Sequence, residues 1–527
     1  MGIISNAVLV GDVLGDAAQS SPDATAYIHN GREIRFREMD LASDRVATAL
    51  LKLGVERGDR VAVLALNQPE WLMVYFGAAK IGAVTVGLSV RYRPTELTKL
   101  LEQCRAKVVV SLDRYDHTNY IEFFDSISDS LPRKPLLFFI NPPKSEARRS
   151  FDVLLGHEVE PALLAAAKDN LEPDDDLLLC FTSGTTGVPK GAVLTHRSHL
   201  ASARSQARHM RIGERDRIMT LAPLNHVGGI TISVMVALLG RASCMLLPRF
   251  TPEDAIREAS IWKPTVFFGF PTMHIMLFLH EQFAGLDTRS FRVVVTGGSA
   301  ATLDLVRRLK DAYQSATIMN LYGLTETCGA AVMSPWNCDM VTISRTVGKP
   351  LEGFSVKVID FADNPVSTGE IGEICIKGPA VVAGYFRRPE ESRATFDQDG
   401  WLRTGDMGYL DEEGFIVLLG RKNEMYIQEG FNVYPVEVED CLASHPKVEM
   451  AAGIGIPDPV LGEVGRYYVV PKPGEDIDED ELWDQCVMHL ADFKRPKQIV
   501  IRQELPFTAT GKINKSILRK EFEENGK

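Results

Sequence analysis

From residue 37 onward, stretches with apolar residues at helical spacing alternate with short, continuous apolar runs. This pattern predicts a helix over 37–53 stopped by Gly54, a buried strand over 60–66, and a helix over 68–81 ended by Gly82. A strand over 83–90, a helix over 94–104 and a strand over 107–112 follow. A polar connector at 142–149 leads to a second round with strands near 177–181, 244–247, 265–270, 292–296 and 317–321. Helices are predicted over 252–263 and 301–313. Alternation of this kind means largely parallel sheets covered by helices. From about 340 to 420 the pattern shortens to strands separated by Gly, Asp and Asn turns, predicting a small antiparallel β unit. Beyond it, helices are expected over 435–444, 478–490 and 515–525, within an α+β piece of about a hundred residues. The expected fold is therefore α/β. A large N-terminal domain (1–421) holds two similar α/β subdomains and a small β-barrel-like unit, and a small α+β C-terminal domain spans 422–527.

The 527 residues are 45% hydrophobic and 24% charged, as in ordinary globular proteins. A formal net charge of −12 gives no basic field for a nucleic acid, while a local site for an anionic small molecule stays compatible with it. Eight cysteines are scattered without a C-x-x-C pair, which predicts reduced thiols, a cytoplasmic location and no structural metal. The first residues lack a basic start and a long apolar core, so no signal peptide is expected. The longest uncharged apolar stretch, 227–240, is too short to span a bilayer, which leaves peripheral membrane contact open.

The most informative segment is Thr182-Ser183-Gly184-Thr185-Thr186-Gly187-Val188-Pro189-Lys190-Gly191, placed between two strand-like runs. Glycines let successive amides point into one concavity, hydroxyls add donors, and Lys190 adds a compact positive charge. That combination suits the oxygens of a polyphosphate. It is not a Walker A loop, because Pro189 and Gly191 flank the lysine. A flexible surface turn is the plainer alternative.

Further segments follow in a fixed order: Gly297-Gly298-Ser299-Ala300; Asn320-Leu321-Tyr322-Gly323-Leu324-Thr325-Glu326-Thr327; Trp401-Leu402-Arg403-Thr404-Gly405-Asp406; Gly420-Arg421-Lys422-Asn423-Glu424; Gly430-Phe431-Asn432-Val433-Tyr434-Pro435; and Thr510-Gly511-Lys512. With the phosphate loop they make the chain resemble the adenylate-forming superfamily, which includes acyl-CoA synthetases, 4-coumarate–CoA ligase and luciferase. The likeness runs over essentially the whole chain and points to the acyl-CoA synthetase branch.

The resemblance implies an AMP-forming acid–CoA ligase that uses ATP, Mg2+ and CoA on a small carboxylic acid, as monomer or homodimer. It assigns nucleotide binding to Thr182, Ser183, Gly184, Thr185, Thr186, Gly187, Lys190, Gly298, Ser299, Ala300, Asn320, Tyr322, Gly323, Thr325, Asp406, Arg421 and Lys512. Tyr322 would stack on adenine, Asp406 would accept from the ribose hydroxyls, Glu326 would hold Mg2+, and Thr325 would donate to the α-phosphate. Lys512, Thr325 and His226 are the catalytic candidates. His226, Gly228, Gly298, Leu321 and Gly329 would line the acyl site, and Gly430, Phe431 and Asn432 the CoA site. Asn423 would be the hinge of a mobile C-terminal domain. Two positions depart from the family pattern. Asn423 stands where Asp or Lys is usual, and Glu429 where many relatives have Gly or Ser. The acid is expected to be medium-chain or aromatic.

Each residue also has a plainer explanation. Lys512 lies near Lys515, Arg519 and Lys520, which could form a solvated helix face. His226 could be a structural imidazole, Asp406 a turn residue, and Arg421 and Glu326 members of ordinary ion pairs. Two other functions compete with the ligase: an adenylating enzyme that hands the acyl group to a carrier protein or other acceptor, and a non-catalytic nucleotide-binding protein.

Overall fold

A computed structural model describes residues 5–182, 189–507 and 513–525. The helices Phe36–Lys52, Pro69–Lys80 and Pro94–Cys104 and the strands Arg60–Leu64, Val84–Leu88 and Val108–Leu112 fall where the apolar pattern places them. Gly54 and Gly82 end the first two helices with φ of 75° and 71°, a conformation only glycine adopts without steric cost.

Two large sheets form the N-terminal part. A six-stranded sheet has, in spatial order, Lys190–Thr195, Asp176–Thr182, Val84–Leu88, Arg60–Leu64, Val108–Leu112 and Leu136–Ile140. All of its pairs are parallel except the hairpin that joins Asp176–Thr182 to Lys190–Thr195. A nine-stranded sheet runs from Lys349–Pro350 through Gly329–Met333, Thr317–Leu324, Val293–Gly297, Val266–Gly269, Arg217–Thr220 and Ser243–Leu246. It ends with Thr25–His29 and Arg32–Arg35, Tyr27 pairing with Cys244. The two subdomains are thus interleaved in sequence: an N-terminal hairpin completes the second sheet. The helix His196–His209 and the segment 227–239 lie in the apolar core shared by the two sheets.

The stretch 227–240 is interior. Its residues are buried, and Ile230–Met235 forms a π-helical segment. No described helix is long and apolar enough to cross a membrane. A four-stranded antiparallel sheet, Ser355–Ile359, Gly372–Lys377, Leu402–Leu410 and Ile416–Arg421, keeps sequence order. After it, Tyr426–Gln428, Phe431–Val433, Val448–Asp458, Gly462–Pro471 and Gln498–Ile501 make a separate sheet with its own core and the helices Pro435–Ala443, Glu479–His489 and Lys515–Asn525.

Two histidines on the buried face of His196–His209 tie the layers together. His196 Nδ1 accepts from the Val10 amide at 3.1 Å, and His199 Nδ1 meets the Tyr75 hydroxyl at 3.2 Å. Burial pushes His196 down to about 4 and His199 to about 3, and His274, also buried, to about 4. The unfolded chain, with histidines near 6.5, binds protons that the folded chain refuses. The stability these neutral rings contribute is therefore complete above about pH 6.5 and is lost as pH falls toward 4, by up to about 1.4 kcal/mol per pH unit for each group. Thermal unfolding should show a Tm that drops steadily between pH 7 and pH 4.5. A flat profile over that range would contradict this role.

Candidate active site

The outer strand Lys190–Thr195 of the six-stranded sheet's hairpin packs against the turn Thr325–Thr327 that follows the strand Thr317–Leu324 of the nine-stranded sheet. Thr182 and Lys190 are cross-strand partners at the hairpin's mouth, and the Thr182 hydroxyl donates to the Lys190 carbonyl at 3.3 Å. Ser183, Gly184, Thr185, Thr186 and Gly187 lie outside the described residues. The segment 384–386 pairs with the outer strand of the hairpin: Val193 N–H donates to Gly384 O at 3.2 Å and Phe386 N–H to Gly191 O at 2.8 Å. This seats Tyr385 between two predicted site residues. Its hydroxyl donates to Glu326 Oε1 at 2.7 Å, and Lys190 Nζ lies 5.4 Å from its ring centroid. Burial, and then the Glu326 carboxylate, raise the Tyr385 phenol far above its ordinary range, so it stays a hydrogen-bond donor.

Glu326 sits on the short turn Thr325–Thr327 that follows the strand Thr317–Leu324. Thr325 and Glu326 are both buried, and Glu326 O accepts from Val382 N–H at 2.9 Å. Gly323 permits this turn: a β-carbon there would stand 2.0 Å from the Gly329 carbonyl oxygen. Tyr322, on the same strand, donates to Asp406 Oδ2 at 2.6 Å. Asp406 Oδ1 pairs with Arg421 Nε at 2.8 Å, and the two residues are cross-strand partners. Arg421 also donates to Thr404 O at 2.9 Å, and Asp406 N–H to the Thr404 hydroxyl at 3.0 Å. Burial lowers the Arg421 pKa, but the facing Asp406 more than offsets it, so the guanidinium stays charged. Arg421 and Glu326 thus each have a partner of their own, Asp406 and Tyr385.

Gly298, with φ of 86°, Ser299 and Ala300 form an exposed bend at the carboxyl end of Val293–Gly297, just before the helix Leu303–Ala312 that Thr302 caps. Asn320 is buried; its Nδ2 donates to the carbonyls of Ile343 and Thr346, at 3.3 and 3.1 Å, while its Oδ1 has no hydrogen-bond partner among the described residues.

His226 begins the helical segment that reaches Leu239, with Nδ1 accepting from Gly228 N–H at 3.0 Å, which leaves its proton on Nε2. Its ring meets Phe270 edge-on at 6.1 Å. The loop before it is clamped by Asn67, whose Oδ1 accepts from Leu224 N–H at 2.9 Å and whose Nδ2 donates to Ala222 O at 3.0 Å. Gly87 lets the two sheets close on this loop, since a β-carbon there would lie 2.9 Å from Asn225 Cα. Leu321 is buried, with its side chain over Gly297, where a β-carbon would lie 2.6 Å from Leu321 Cδ1. A β-carbon at Gly228 would meet Phe268 at 3.1 Å and Ala222 at 3.2 Å.

In the C-terminal part, Gly430, Phe431 and Asn432 are exposed; Glu429 and Gly430 form the two-residue hairpin turn, and Phe431 and Asn432 belong to the strand that follows it. Glu429 and Gly430 have φ of 56° and 84°, so Glu429 occupies a left-handed position that favours glycine or asparagine. It pairs with Lys497 at 3.3 Å. Phe431 stacks on Phe493 at 4.5 Å. Asn423 is exposed beyond the last strand of the four-stranded sheet. Lys512 lies outside the described residues. Nearby, Lys515 bridges Glu424 at 3.1 Å and Glu439 at 2.7 Å, tying the C-terminal helix to the segment after Asn423.

Tyr385 and Asn67 carry much of this geometry, and no local pattern marked them; Thr404 stood within the 401–406 segment without a role of its own. The Gly384-Tyr385 pair before an acidic helix was the available signal for the first.

The sequence pattern of the AMP-binding enzyme family matches residues 14–386, and that of the AMP-binding enzyme C-terminal domain matches residues 437–512. A Mycobacterium tuberculosis ligase named for a methyl-dioxo-octahydroindenyl propanoyl group and CoA is 34% identical, over 94% of this chain and 96% of its own. The long-chain-fatty-acid–CoA ligase FadD13 of the same organism is 31% identical, over 97% of this chain and 98% of its own. The crystal structure of ATP-bound MatB from Rhodopseudomonas palustris superposes with a TM-score of 0.87 at 28% identity, covering 98% of this chain and 100% of that one. The chain belongs to the AMP-binding enzymes of the adenylate-forming superfamily, in its acyl-CoA ligase branch.

Proposed function

We propose that the protein activates a carboxylic acid with ATP and transfers the acyl group to CoA. One carboxylate oxygen attacks the α-phosphorus, the bond to the bridging oxygen breaks, and pyrophosphate leaves. The CoA sulfur then attacks the acyl carbon and AMP departs. The observation that carries this reading is the convergence of Tyr322, Asp406 and Arg421 on one side and Lys190, Tyr385 and Glu326 on the other at the carboxyl ends of the second sheet. Asp406 supplies a buried, charged acceptor for ribose hydroxyls, and the ring of Tyr322 beside it offers a face to adenine. Lys190 and the loop before it receive the β- and γ-phosphates.

Glu326 fits Mg2+: a buried carboxylate fixed by a phenol, next to the phosphate side, matches a cation that takes one protein carboxylate and several phosphate oxygens. Bound there, Mg2+ would offset charge on the phosphates. Thr325 donates to the α-phosphate, and Lys512 bridges the two reactants. The C-terminal domain begins after Arg421 and turns about Asn423 between half-reactions, presenting Gly430, Phe431 and Asn432 to CoA. Eight free cysteines suit a reducing, cytoplasmic setting.

The test is ATP–pyrophosphate exchange dependent on added acid, followed by AMP release with and without CoA. Repeated turnover only with CoA is expected. Exchange without a CoA requirement for turnover would favour a carrier protein or another acceptor, and no exchange with any acid would leave only nucleotide binding.

For the acid, we propose a medium-chain or aromatic substrate. Leu321 fills the space above Gly297, and at Gly228 a β-carbon would already press on His226, Phe268 and Ala222, so the wall there is closely packed as well. A close-packed wall yields little without strain. A series of straight-chain and aromatic acids should show wild-type efficiency declining for the longest chains, and Leu321→Gly should extend the accepted length. Efficient wild-type turnover at about sixteen carbons, where each buried methylene adds ~0.8 kcal/mol, would refute this, as would an unaltered profile in the variant.

A further inference from the structure

Tyr385 joins the hairpin of Asp176–Thr182 and Lys190–Thr195 to the turn that carries Glu326. Its segment lies along the outer strand of that hairpin, with Tyr385 opposite Ala192, the Gly384 carbonyl accepting from Val193 N–H and the Phe386 amide donating to Gly191 O. The Tyr385 amide donates to Ser392 Oγ at 2.9 Å, and that hydroxyl donates to Arg388 O at 2.7 Å, so the helix Pro389–Thr395 holds the same backbone from the other side. Gly384 permits the approach, since a β-carbon there would stand 2.8 Å from Ser392 Oγ. The ring packs on Phe396, with centroids 5.7 Å apart. Fixed in this way, the side chain presents its hydroxyl to Glu326 Oε1 at 2.7 Å and its ring to Lys190 Nζ at 5.4 Å. Among the described residues, the other oxygen of the buried Glu326 carboxylate has no hydrogen-bond partner.

A carboxylate on a three-residue turn can rotate about its side-chain bonds, and each rotamer sends its oxygens elsewhere. The phenol engages one oxygen and leaves the other to a cation. Partners that hold a metal-binding carboxylate without touching the metal contribute about ten- to a hundredfold in affinity or activity. We propose that Tyr385 is a positioning residue for the reaction: its hydroxyl aims Glu326 at Mg2+, and its ring steadies Lys190 toward the phosphates. One side chain thereby sets the metal side and the phosphate side against each other. The inference rests on the assignment of Mg2+ to Glu326 made above and adds the residue that orients that carboxylate.

The test is calorimetric titration of ATP into the full chain, without acid, at a series of Mg2+ concentrations, so that binding is read apart from turnover. Tyr385→Phe keeps the ring beside Lys190 and removes the hydroxyl. The Mg2+ concentration that gives half of the full gain in ATP affinity should rise by about tenfold or more, while ATP affinity without Mg2+ stays at the wild-type value. In acid-dependent ATP–pyrophosphate exchange the same variant should recover toward the wild-type rate as Mg2+ is raised. Tyr385→Leu removes the ring as well and should also weaken Mg2+-free ATP binding by about two- to fivefold, as loss of an exposed cation–π contact predicts. A role in packing alone would lower the Tm of both variants and leave the Mg2+ dependence where it is, which overturns the inference. Equal loss of ATP affinity with and without Mg2+ in Tyr385→Phe overturns it too. Glu326→Gln separates the two levels of the argument. An altered Mg2+ dependence in Glu326→Gln with none in Tyr385→Phe overturns the inference alone. An unaltered one, or a wild type indifferent to Mg2+, removes the metal assignment itself and the inference with it.

Discussion

Lys512→Ala is expected to slow acyl-adenylate formation by about a hundredfold or more, the cost of removing one charge-stabilising donor from a transition state that gathers negative charge. Thioester formation from preformed acyl-adenylate should stay close to the wild-type rate. The two half-reactions are expected to separate because Lys512 lies beyond Asn423 in sequence, and the rotation proposed there would withdraw it once the adenylate has formed. Lys515, at the start of the helix Lys515–Asn525, pairs with Glu424 and Glu439, which ties that helix to the segment after Asn423. Burial works against the Lys515 charge, but the two carboxylates keep its pKa raised. Pre-steady-state measurement of pyrophosphate release and of acyl-CoA formation checks the prediction. Equal damage to both steps would show that Lys512 belongs to the basic helix face instead.

Asp406→Ala should weaken AMP binding and raise the KM for ATP by about tenfold to a hundredfold. A hydrogen bond to a charged acceptor contributes about 1.5–3 kcal/mol, and two ribose hydroxyls lose one. The same carboxylate accepts from Tyr322 and pairs with Arg421, so its removal also loosens the contact between the nine-stranded and four-stranded sheets. Asp406→Asn keeps the shape and one acceptor and should show a smaller loss. Calorimetric titration with AMP on variants whose unfolding remains cooperative gives the comparison. Unchanged nucleotide affinity in Asp406→Ala would reduce Asp406 to a turn residue.

Much of the fold was legible because its elements obey local rules. Gly54 and Gly82 mark helix ends by their positive φ, and continuous apolar runs such as 61–64 mark strands buried on both faces. The hairpin Thr25–Arg35 was missed, since its alternation is weak and its partner strand lies more than two hundred residues away. Of the site, the motif residues Lys190, Tyr322, Glu326, Asp406 and Arg421 stood out by type and spacing. Tyr385 did not, because only the pairing of 384–386 with the phosphate-loop hairpin gives its hydroxyl a carboxylate to hold.

The sequence by itself determined the family, the order of the elements and the chemistry available, because backbone propensity, apolar period and motif spacing act within a few residues of each position. The tertiary structure decided which groups touch. It gave Arg421 to Asp406 and Glu326 to Tyr385, tied the Asn320 Nδ2 to a neighbouring segment and buried 227–240 in the interior. Those choices depend on where chain segments distant in sequence come to rest, and charge pairing and burial are set by that packing.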